Sequence, residues 1–143
     1  MGSKLDLRKW LLASAAVFVL FSILQYLVQQ IFLMPTFPEM FPAAPATKEP
    51  GLVQLYVYLG RAIFSLMFVY VFTRGFEGKA GVNEGIRYGF WIALMIQAPA
   101  VFAGLVVLNQ PPGGLVGSGV AGMVQYILCG ILANMIYKKP KAA

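Results

Sequence analysis

A chain of 143 residues that is 59% apolar and only 11% charged cannot cover a water-facing surface, which ordinarily takes about 25% charged residues. Its mean hydropathy of +0.75 points to a single integral membrane domain and excludes a soluble globular one. The formal charge of +6 does not indicate nucleic acid, because nine of the eleven Lys and Arg sit in three short segments: Lys4, Arg8, Lys9; Arg74, Lys79, Arg87; and Lys138, Lys139, Lys141. That distribution is the positive-inside signature of a membrane protein.

Residues 1–9 form a basic leader, and Trp10 to Met34 is an apolar run of 25 residues. A secretory signal has an apolar core of about 7–15 residues, so the run predicts a retained transmembrane helix over 10–34. Ala43-Ala44-Pro45-Ala46 imitates a cleavage site, but Pro35, Pro38 and Pro42 separate it from the run. Five prolines in the sixteen residues from Pro35 to Pro50 predict an outer loop over 35–50. Phe37, Met40 and Phe41 are placed to dip into the interface.

The second helix is predicted over 52–72, an apolar stretch of 21 residues interrupted by Gln54 and Arg61. At about 1.5 Å per residue it just crosses a hydrocarbon core roughly 30 Å thick. Arg61 then lies near the bilayer middle, where a charge costs a few kcal/mol. A charged, glycine-rich inner loop follows over 73–85. The third helix, 85–108, starts near Asn83, a residue suited to capping it. Pro99 frees the Met95 carbonyl within that helix and predicts a bend. After the tight turn Asn109 to Gly114, the fourth helix spans 115–137 and ends at the lysine tail. The fold expected is all-α: a bundle of four transmembrane helices with both termini cytoplasmic. Trp10, Tyr70, Tyr88, Trp91 and Tyr137 fall near the inner interface, where amphipathic rings settle.

Counted from the outer helix ends, Arg61, Gln25, Gln97 and Gln125 lie at about the same depth, roughly 14–17 Å. They form an expected intramembrane polar layer. No acid occurs in any span, so glutamine oxygens or the Met95 carbonyl are the expected acceptors for the five donors of the guanidinium. The layer either glues helices together or leaves Arg61 for an anionic ligand, a headgroup or a partner's carboxylate.

In the fourth helix, Gly113, Gly117, Ser118, Gly122 and Gly130 are spaced as a packing face that allows close backbone approach. Its partner is another helix of this chain, a second copy or a larger complex. The lone cysteine, Cys129, reads as a small buried apolar residue.

The inner loop reads Thr73 to Gly89. Glu84 and Arg87 are three apart and able to pair, and Glu84 suits the positive end of a helix dipole. Gly85 and Gly89 permit a close crossing. Gly78-Lys79 fails as a phosphate loop, since Gly75 is only three residues before Gly78 and Ala80 follows the lysine. The segment RGFEGKAGVNEGIRYG resembles the inner loop of a family of small bacterial four-helix membrane proteins, through Gly75, Glu77, Gly78, Lys79, Glu84, Gly85, Arg87, Tyr88 and Gly89. The resemblance implies a bacterial inner-membrane protein and carries no activity with it.

There is no histidine, which removes the commonest general base and metal ligand; no metal or cofactor is expected. Glu77 and Glu84 share one loop, and the expectation is solvated ion pairing rather than acid–base chemistry in a lipid-handling enzyme. The chain is therefore expected to be a non-catalytic accessory or assembly subunit, in a homo-oligomer or larger membrane complex. The alternative is a small transporter or channel for an anionic or polar solute, using Arg61. Partners other than the bilayer are expected to be protein, an anionic lipid or a small solute, not nucleic acid.

Overall fold

The computed structural model describes residues 6–40, 49–78, 82–108 and 110–137; Lys48, Lys79, Asn109 and the lysine tail lie outside them. Its described residues contain helices and no strand. Four helices are long and apolar enough to cross a membrane: α1 (Leu7–Thr36), α2 (Pro50–Gly75), α3 (Asn83–Val106) and α4 (Pro112–Tyr137). No more than 33% of the most apolar stretch in any of them is buried inside the protein. Most of their side chains therefore keep some surface outside the bundle, an arrangement that lipid tolerates and water does not.

Each helix begins earlier than its hydropathy alone predicts. The α1 helix starts at Leu7 because the Asp6 carboxylate accepts the Lys9 N–H at 3.2 Å, satisfying an orphan donor of the first turn. Pro50 and Pro112 each open a helix, where a missing N–H costs nothing. Asn83 is the first residue of α3 rather than its cap; Val82 holds the cap position and brings no side-chain acceptor. The α3 helix runs unbroken through Pro99. In α1, Val28–Leu33 winds as a π-helix, and helix resumes through Pro35 to Thr36, two residues beyond the expected end. The Met34 N–H reaches five residues back, to the Gln29 carbonyl, a widening that makes room for the proline ring.

The α3 and α4 helices lie closest together, and α1 packs between α2 and α4. The α3–α4 crossing is glycine against glycine. A Cβ on Gly85 would come within 2.5 Å of the Gly130 carbonyl oxygen, so only hydrogen atoms fit there. Aromatic rings fill the centre. Phe21, Phe64 and Tyr126 meet with centroids 5.2–5.6 Å apart. Phe68, Phe72 and Tyr88 continue the stack toward the end of the bundle that carries the charges. Trp10 joins there by donating its indole N–H to the Leu66 carbonyl at 3.1 Å.

The charged end is thus tied together, while the opposite, proline-rich end of α2 is not. Leu55, Tyr56, Leu59 and Ile63 are all exposed, and a recess of about 610 Å³ opens beside Leu52, Val53, Tyr56 and Val57. One cross-link at the closed end is directly testable. Tyr88 donates its hydroxyl to the Phe68 carbonyl at 2.6 Å, so Tyr88→Phe is expected to cost about 1 kcal/mol, read as a lower thermal midpoint in detergent.

Candidate functional site

Arg61 is partly exposed. Its guanidinium carbon lies 5.5 Å from the centre of the Tyr58 ring, one helical turn away. Among the described residues no hydrogen bond or ion pair joins it to Gln25, Gln97, Gln125 or the Met95 carbonyl. The expected convergence of amides on Arg61 is not formed, because the proline-end half of α2 stands apart from α3 and α4. The glutamines do other work. The Gln97 amide lies directly on Gly122 of α4, in the space a Cβ would need. Gln125 is buried, and Gln25 is half-buried on α1.

The small residues of α4 divide between two neighbours. Gly113 and Gly117 receive the rings of Phe37 and Phe32. Gly122 and Gly130 face α3, taking Gln97 and the Gly85–Gly89 backbone. Ser118 turns its hydroxyl back to the Leu115 carbonyl at 2.9 Å. The packing face predicted over Gly113, Gly117, Ser118, Gly122 and Gly130 is therefore used largely within the chain.

The charged loop differs most from its sequence reading. Glu84 is not a solvated partner of Arg87: it is 8% exposed, and its Oε1 accepts the Glu77 backbone N–H at 3.0 Å. Among the described residues its Oε2 has no hydrogen-bond partner. Arg87 instead faces Glu77 at 3.7 Å, with both side chains about half exposed, since Glu84 turns inward to hold the loop. Arg74 donates to the Tyr70 hydroxyl at 2.7 Å and stacks on that ring at 4.9 Å. A cavity of about 170 Å³ lies between the end of α2 and the start of α3, with Glu84, Arg87, Tyr88 and Trp91 among its walls.

Sequence spacing does not reveal a buried Glu84, because a glutamate in the first turn of a helix is ordinarily solvated. The signal available was its neighbour Gly85, whose close approach to Gly130 draws that helix face inward. Comparison with known proteins adds no relative: no family model, curated protein or solved structure matches this chain.

Proposed function

We propose that this chain is a non-catalytic subunit of a membrane complex, docking on a partner helix through the proline-end half of α2 with Arg61 at the contact. The observation that carries this reading is that, among the described residues, the guanidinium of Arg61, near mid-span, meets a tyrosine ring and no hydrogen-bond or ion-pair partner. A charge at that depth costs a few kcal/mol, and a carboxylate on a facing helix lowers the cost. A second copy cannot supply one: Asp6, Glu39, Glu49, Glu77 and Glu84 all lie near or beyond helix ends, and a symmetric contact sets arginine against arginine. The partner is therefore a different chain with an Asp or Glu deep in a transmembrane helix. Gly60, where an added Cβ would meet nothing within 4 Å, lets that helix approach closely. A transport role would need Arg61 in a cavity, and the recess along α2 is lined instead by Leu52, Val53, Tyr56 and Val57.

Charge distribution supports cytoplasmic termini and a cytoplasmic α2–α3 loop, and the loop's resemblance supports a bacterial inner membrane. Native mass spectrometry of nanodiscs cut directly from the membrane tests the proposal. The expected result is a heteromer whose partner carries an intramembrane acid, lost in Arg61→Leu and largely kept in Arg61→Lys. A wild-type protein that travels alone, or a partner that stays on Arg61→Leu, would overturn it.

A further inference from the structure

The first turns of α3 build a small recess against the end of α2 that has no role in helix docking. Its volume of about 170 Å³ falls below the ~300 Å³ where pockets for drug-sized ligands begin, so it suits a headgroup or a metabolite fragment. Three features describe what it accepts.

Glu84 is more than nine-tenths buried, lines the recess and, among the described residues, has one carboxylate oxygen without a hydrogen-bond partner. A carboxylate holding a single backbone N–H keeps acceptor capacity, and a cationic donor makes the stronger bond. The walls beside it are the rings of Phe72, Tyr88 and Trp91, whose faces attract an ammonium. Arg87, one turn further along α3, lines the same recess with a side chain that is 58% exposed and, among the described residues, makes a long contact to Glu77 at 3.7 Å. It keeps donors for an anion, and a guanidinium matches phosphate geometry. Residues three apart on a helix have Cβ atoms roughly 5–6 Å apart. A negative and a positive group at that spacing fit a ligand whose ammonium and phosphate are separated by two carbons.

We propose that this recess binds a phosphoethanolamine group, its ammonium on the Glu84 carboxylate where it lines the recess among the rings, and its phosphate on Arg87. The group comes either from a phosphatidylethanolamine headgroup in the adjoining leaflet or from free O-phosphoethanolamine. The exposed Trp91 beside the recess is placed to meet the glycerol region of a lipid.

Native mass spectrometry of the full chain in neutral detergent tests this. Phosphatidylethanolamine, phosphatidylcholine and phosphatidylglycerol are supplied at equal concentration. The expected result is about tenfold more ethanolamine-lipid adduct than either of the others, the scale of one charged hydrogen bond. The choline lipid has no N–H to give, and the glycerol lipid has no ammonium. Glu84→Gln keeps an oxygen for the Glu77 N–H and is expected to bring ethanolamine lipid down to the choline level, with helical circular dichroism unchanged. If soluble O-phosphoethanolamine displaces the lipid, the natural source is the free compound; if it does not, the source is the lipid. Either result keeps the recognition chemistry. Equal adducts of all three lipids on wild-type protein overturn the proposal, whatever the folding of the variant. So does an undiminished ethanolamine preference in a folded Glu84→Gln.

Discussion

Leucine at position 89 is expected to lower the stability of the bundle by about 3 kcal/mol, the upper part of the range for forcing bulk into a filled core. A Cβ on Gly89 would lie 2.5 Å from the Ile127 Cα, against the backbone of α4. No rotamer change relieves a backbone contact, so α3 must move away from α4. That movement also separates Gly85 from Gly130 and withdraws Gln97 from Gly122, so the loss spreads along the hairpin. Leucine at Gly60 is the matched control: nothing lies within 4 Å of its Cβ position, and the expected change in an isolated chain is within about 0.5 kcal/mol. Thermal or denaturant melting in one detergent compares the two. Equal destabilisation by both would mean that the α3–α4 crossing is not the tight joint described above.

Arg61→Leu is expected to act in the opposite direction on membrane insertion. Exchanging arginine for leucine near a helix centre improves apparent insertion by about 3 kcal/mol, so isolated α2 should move from partial to near-complete insertion in a glycosylation-mapped assay. The folded protein should melt within about 0.5 kcal/mol of wild type, because no hydrogen bond of the Arg61 side chain to another described residue is removed. A stability loss beyond about 1 kcal/mol would show that the chain itself holds the guanidinium. The combination of easier insertion, unchanged folding and a lost partner distinguishes a docking residue from a structural one.

Hydropathy made four spans legible to within about three residues at each end. That is because lipid imposes a strong length and composition rule on every crossing segment. Departures at the ends came from local chemistry that a hydropathy window does not weigh: the Asp6 cap, and prolines that open α2 and α4. Gly85, Gly89 and Gly130 were readable as close-approach positions because small residues at helical spacing have few other uses in lipid. The partners of Arg61 were not readable. Equal depth along four helices says nothing about azimuth, and Gln97 and Arg61 fail to meet although the counting places them in one layer. Glu84 was misread for a related reason: its burial depends on how far α2 extends over the start of α3, a tertiary property absent from the loop's own sequence.

The widened turn at Val28–Leu33 sets the angular phase of everything after it in α1. A chain shorter by one residue in that segment would wind without interruption, and Phe37 and Met40 would swing about 100° around the axis. Both side chains now seat on Gly114, and Phe32 on Gly117. The surplus residue therefore acts as a spacer that aims two side chains at glycine sockets on another helix. Length polymorphism there should be tolerated far less than in the uncovered half of α2.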